Sequence, residues 1–145
     1  MMLRIEFQRD DRGALIVEFG LIVPILFLLV FGIVDFGRAY FTMNNLAAAV
    51  REGARYGSVS DDPVADAALI KQRVVDFSYT FGGARLGTPN VNVTVNTVDT
   101  TLTVTADYSF RTITPLVNLI GLDSIPMHQM AKFGLEYGLP PTTSP

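Results

Sequence analysis

The sequence predicts an α+β protein in which one long N-terminal helix packs on a second helix and a small antiparallel sheet. Three observations predict it. From Ala14 to Val34 the chain is apolar except for Glu18. Beyond Asp35, apolar residues recur in steps of four and three at Phe36, Tyr40, Met43, Ala47, Val50 and Ala54, one stripe of an amphipathic helix. From Val91 onward the period changes to two, the signature of half-buried strands.

Residues 1–13 are polar, with Arg4, Arg9 and Arg12 balanced by Glu6, Asp10 and Asp11, and read as a cytoplasmic leader with no fold of its own. Residues 14–34 are long enough to span a bilayer, whose core of about 30 Å takes roughly 20 helical residues. Pro24 removes one backbone hydrogen bond there and is expected to kink or loosen the helix, which lipid-embedded helices tolerate. Residues 35–57 continue it as a helical spine, and the first strong break comes at Gly57 and Ser58. At about 1.5 Å per residue a helix from Ala14 to Tyr56 is on the order of 65 Å long, so about half projects from the membrane.

Residues 58–137 read as one small domain. Asp62 is placed to cap a helix and Pro63 to occupy its first position, and Ala67, Ile70, Val74 and Phe77 give that helix an apolar face. It is expected to run from Pro63 to about Thr80 and to end at Gly82 and Gly83. Val91, Val93 and Val95 then alternate with polar residues, and after a turn around Asp99 and Thr100 the alternation resumes at Leu102, Val104, Ala106, Tyr108 and Phe110, which predicts a hairpin. Thr114-Pro115 opens a short helical turn to Ile120, closed by Gly121. A third alternating run, Ile125, Met127, Gln129, Ala131, Phe133 and Leu135, supplies the third strand that a stable sheet needs. Residues 138–145 are rich in Pro, Thr and Ser and read as a loose tail. A domain of this size has a marginal core by itself, which predicts that it packs against the spine, with the Phe36-to-Ala54 stripe as core for the strand domain rather than an intermolecular coiled coil.

Composition narrows the function classes. The net charge is −3 and the basic residues after the span are scattered among acids, so no nucleic-acid-binding patch is expected. Cysteine is absent, which leaves the redox compartment unread. An ordinary secretory signal has a shorter apolar run followed by a small-residue cleavage site, whereas Gly13 and Ala14 precede the run here. Orientation is nearly a tie by charge, with Arg4, Arg9 and Arg12 before the span and Arg38, Arg51 and Arg55 after it. An enzyme is not expected. The single histidine, His128, falls on the polar phase of the third strand with no cysteine or second histidine to complete a metal site, and Asp61 and Asp62 suit capping better than catalysis. No nucleophile elbow, phosphate loop or dinucleotide motif is present, so no cofactor, metal or small-molecule substrate is expected.

Glu18 is the most informative residue. A carboxylate near the start of an apolar span costs up to a few kcal/mol unless it is paired or near the interface. Were the chain cut after Gly13, the new amine on Ala14 would lie close by in sequence, and in a packed assembly a neighbour's amine would serve as well; otherwise Glu18 simply marks the membrane edge. Asp35 and Arg38, three apart at the outer end of the span, read as interfacial, while Arg51 and Arg55 lie off the apolar stripe, solvated or in contact with a partner. Gly53 and Gly57 have small-x-x-x-small spacing, and a helix end also explains Gly57.

Gly13 followed by an apolar segment with Glu18 at its fifth position resembles the processing site of type IV prepilins. The wider set, R-G-A-L-I-V-E-F at Arg12 to Phe19, I-V-P-I-L at Ile22 to Leu26, G-I-V-D-F-G-R-A at Gly32 to Ala39 and A-A-V-R-E-G-A-R-Y-G at Ala48 to Gly57, is similar to the TadE-like proteins of the tight-adherence (Flp, type IVc) pilus system. The resemblance covers the first 58 residues or so. It implies a type IV pilin-like architecture and a minor pilin or pseudopilin acting in pilus assembly and adhesion. It further implies cleavage between Gly13 and Ala14 by a prepilin peptidase, a single span in the bacterial cytoplasmic membrane with the C-terminal domain extracytoplasmic, and association with a pilus after processing. The partners it implies are the membrane, the peptidase, other pilin or pseudopilin subunits and the tight-adherence assembly proteins, with Glu18 setting subunit register. The alternative from a different class is an uncleaved single-pass envelope protein whose domain binds a partner or ligand.

Overall fold

The computed structural model describes residues 11–79, 83, 85–86, 89–96, 98–113 and 124–136. Its elements run in the order α1 (Asp11–Ser58), α2 (Ala67–Phe77), β1 (Asn90–Asn96), β2 (Thr101–Arg111) and β3 (Ser124–Gly134). The class is the α+β one expected: a long N-terminal apolar helix, a second helix and a three-stranded antiparallel sheet. Of the leader expected at residues 1–13 to have no fold of its own, residues 1–10 fall outside the described residues and Asp11 to Gly13 form the start of α1; the helical turn after Thr114-Pro115 and the tail also fall outside.

Helix α1 is continuous over 48 residues and does not break at Pro24. The sheet has the order β1-β2-β3, with Val93 opposite Val104 and Val104 opposite Ala131 fixing the register. Because strand side chains alternate between faces, that register puts Val91, Ala106, Leu102, Met127 and Ala131 on one face and Asn92, Thr103, Thr105, His128 and Lys132 on the other. The hairpin turn is held by Asn96, whose Oδ1 accepts from the amides of Val98 (3.0 Å) and Asp99 (3.3 Å), and Thr100 closes it with a positive φ of 46°. An Asn side chain that binds the backbone ahead of it is a common way to seed a turn.

The core is the space between this inner sheet face and the outer half of α1. Leu46, Ala49, Val50 and Ala54 come from α1, Ile70 and Val74 from α2, and Leu102, Val104, Ala106 and Phe110 from β2, all buried. Strand β2 runs antiparallel to α1. Its start lies at Gly57, where a Cβ would meet Leu102, and its far end at Asp35, which accepts from the Ile113 amide. The lengths agree, since Asp35 to Gly57 as helix and Leu102 to Ile113 as strand each cover roughly 35 Å.

Two expectations are corrected by these contacts. The predicted stripe is right only in its outer part, at Val50 and Ala54; Phe36, Tyr40 and Met43 are 74%, 64% and 49% exposed. The face turned to the domain carries Asp35, Thr42, Leu46, Ala49 and Gly53, with Ala39 half-buried. Small and polar residues occupy it because a strand and a helix approach α1 closely there. Helix α2 begins at Ala67 and not at Pro63. Asp62 does cap, but it caps the turn ahead of the helix, its Oδ1 accepting from the amides of Val64 (3.1 Å) and Ala65 (3.0 Å). The helix also stops at Phe77, where Ser78 folds its hydroxyl back onto the Val75 carbonyl at 2.9 Å, before reaching the glycines.

Candidate anchoring and assembly site

Among the described residues, none of 13–34 is buried: Leu15, Phe19, Ile22, Ile25, Phe27 and Ile33 are all more than half exposed. From Gly13 onward α1 is long and apolar enough to cross a membrane, and the most apolar window of that stretch is wholly uncovered. A soluble core helix of the same composition would be covered by its own domain. Phe27 and Phe31 stack on each other with centroids 6.1 Å apart, a local contact that leaves the surface apolar.

Gly13 and Ala14 are exposed and lie inside α1, with no atom from elsewhere in the chain within 4 Å of where a Cβ on Gly13 would sit. Glu18 is also exposed and has no hydrogen-bond or ion-pair partner among the described residues. Counting back from the uncovered aromatics in steps of three, four and seven gives Met43, Tyr40, Phe36, Leu29, Ile25, Ile22 and then Glu18, so the carboxylate shares one helical face with them. That face turns away from the sheet. The stripe expected to form core is thus, in its inner part, a continuation of the uncovered apolar face.

Asp35 is 7% exposed and bound within the fold. The Ile113 amide donates to both of its oxygens, at 3.1 and 3.0 Å, and the Arg38 guanidinium donates to Oδ1 at 2.9 Å. Arg38 also lies over the Phe110 ring, 5.1 Å from its centroid. A carboxylate at the end of the apolar run thereby fastens the far end of β2 to the helix, and its desolvation is offset by charge-assisted bonds. The i, i+3 spacing of Asp35 and Arg38 was legible in the sequence; the Ile113 amide just past β2, 78 residues away, was not.

Arg51 and Arg55 are exposed. Arg55 makes a two-pronged pair with Glu52, Nε to Oε2 at 3.0 Å and Nη2 to Oε1 at 2.9 Å. Those hydrogen bonds hold the Glu52 carboxyl below its ordinary range. Gly53 and Gly57 both serve packing within the chain, and Gly57 is not only a helix end. A Cβ at Gly53 would collide with Val74 of α2, and one at Gly57 with Leu102 and Ile70, so both positions let other elements rest on the α1 backbone. On the outer sheet face, His128 Nδ1 and Asp107 Oδ1 are 2.6 Å apart across β2 and β3, at the edge of a shallow depression of ≈ 430 Å³ that Asn90 and Ser109 also line. Among the described residues no group of three or more His, Cys, Asp or Glu is arranged to hold a metal.

The chain thus joins a helical segment that could span a membrane, uncovered along its apolar half, to a packed α+β domain. The family model of the TadE-like proteins matches residues 13–55, the uncovered segment together with most of the packed spine. Over that segment the chain is similar to this family, which suggests a protein associated with a tight-adherence pilus. No curated protein and no solved structure matches the chain.

Proposed function

We propose that this protein is a minor pilin or pseudopilin of a tight-adherence pilus, anchored in the cytoplasmic membrane by residues 14–34 and cut by a prepilin peptidase between Gly13 and Ala14. The observation that carries the reading is the uncovered apolar face of α1 with Glu18 as its single carboxylate, set five positions after Gly13 and lacking a described partner. Cleavage after Gly13 creates an amine on Ala14, and the Glu18 carboxylate of one subunit takes the amine of a neighbour as its counter-charge. A charge left unpaired among apolar helices is costly, so this pairing fixes the register in which subunits meet. The domain lies outside the cytoplasm and the protein's role is structural, with no catalysis and no cofactor. Its partners are the peptidase, other pilin-type subunits and the assembly proteins of the same system.

The second reading, an uncleaved envelope protein with a ligand-binding domain, has the depression beside Asp107 and His128 in its favour. Intact mass and N-terminal sequence of the protein purified from its native membranes separate the two. A terminus at Ala14 is the expected result. An uncut terminus in cells with an active prepilin peptidase overturns the pilin reading and leaves the permanent anchor.

A further inference from the structure

The bond between Asp35 and Ile113 fixes where the sheet domain stands relative to the span. Asp35 is the first residue beyond the apolar run, and the Ile113 amide lies within 3.1 Å of its carboxylate. The end of β2 is therefore level with the end of the span. Apolar side chains are uncovered at this level in more than one direction around α1. Ile113 is 63% exposed on the sheet side, while Phe36 and Tyr40, stacked with centroids 6.5 Å apart, are 74% and 64% exposed on a face about a quarter turn away, since successive helical residues are about 100° apart. Two adjoining faces uncovered at the depth where the span ends suit a bilayer surface, and tyrosine is enriched in the interfacial layer.

One more observation points the same way. Arg111, two residues before Ile113 and exposed on the outer sheet face, pairs with Ser124 across the β2–β3 ladder at this same level. An exposed cation at the rim of an apolar edge suits the anionic headgroups of a membrane surface.

We infer that the sheet domain is seated on the bilayer, with Ile113, Phe36 and Tyr40 in the interfacial layer and Arg111 against anionic lipid headgroups. This rests on the reading that residues 14–34 span the membrane, and the test separates the two. The chain has no cysteine, so single-cysteine variants label cleanly. Nitroxide is attached to the full chain at Leu26→Cys, Ile113→Cys or Val98→Cys, the last being 88% exposed at the opposite end of the sheet. Each is reconstituted in vesicles of phosphatidylcholine and phosphatidylglycerol, and collision with oxygen is compared with collision with a water-soluble nickel chelate. The expected pattern is oxygen-dominated at Leu26, nickel-dominated at Val98, and at Ile113 a several-fold lower nickel accessibility than at Val98. Adding Arg111→Glu raises nickel access at Ile113 in these vesicles but not in pure phosphatidylcholine. An Ile113 label as open to nickel as Val98, with Leu26 in lipid, overturns the seating and leaves the span intact. Nickel access at Leu26 overturns both. Spin–spin broadening between Ile113 labels that vanishes on dilution with unlabelled protein shows a second copy covering this edge, and also overturns the proposal.

Discussion

Glu18 and Asp35 are both carboxylates of α1, yet one is exposed with no partner among the described residues and the other is buried and bonded by an amide and a guanidinium. The difference separates a residue that stabilises this fold from one whose counter-charge must come from elsewhere. Glu18→Ala removes nothing the domain uses, so its stability is expected to be unchanged. In cells the variant is expected to be cleaved like the wild type and to be absent from assembled pili, read by N-terminal sequencing of the membrane protein and by immunoblotting of sheared filaments. Wild-type levels of the variant in filaments would remove Glu18 from any register role. The sequence made Glu18 legible because a lone carboxylate in an apolar run stands out locally. The amide bound to Asp35 was not legible because it belongs to Ile113, far along the chain, and spacing along a helix reports only neighbours three and four residues away.

At the scale of elements, the strands were legible in full phase and the spine only in part. A strand reveals its buried face by strict alternation, and the inner positions of β1 and β2 are the ones alternation selected. On α1 two faces carry pattern, one apolar for the membrane side and one small and polar for the domain, and apolar periodicity finds the first. What marks the second is Ala39, Thr42, Ala49, Gly53 and Gly57, residues chosen for close approach, which hydrophobicity does not score. Gly53→Ala tests that account. An alanine gains about 0.5–1 kcal/mol in helix propensity, while forcing a methyl into Val74 costs about 1–3 kcal/mol by overpacking. The expected net is a loss of roughly 0.5–2 kcal/mol in chemical denaturation of the domain. Combining it with Val74→Ala frees the contested space, so the pair should be less destabilised than the sum of the singles. Strict additivity would place the cost of Gly53→Ala elsewhere than at the α1–α2 contact.

For the whole molecule, the ordering of burial along α1 predicts where the chain can be divided. The buried apolar core draws on α1 only at Leu46, Ala49, Val50 and Ala54, and the innermost link between helix and sheet is Asp35 with Ile113. Among the described residues, nothing before Asp35 contributes to the buried core. A chain that starts at Asp35 therefore keeps the buried contacts described above and loses the uncovered apolar segment. It is expected to be soluble and to unfold cooperatively, with a thermal midpoint within a few degrees of the full chain in detergent. A chain that starts at Ser58 keeps both helix α2 and the sheet but gives up one whole wall of the core, exposing Leu102, Val104 and Ala106 along β2. A remnant of that size has too little buried surface to offset its conformational entropy, so it is expected to show no cooperative transition. Circular dichroism melts of the two truncations decide the point. If the shorter chain folds as well as the longer one, the spine is an accessory to an independent sheet domain. If neither folds, the uncovered half of α1 contributes to folding in a way that burial does not record. Cooperative unfolding of the longer chain alone would establish residues 35–58 as shared property, the end of an anchor and the backbone of a domain at once, which is why α1 carries two different faces.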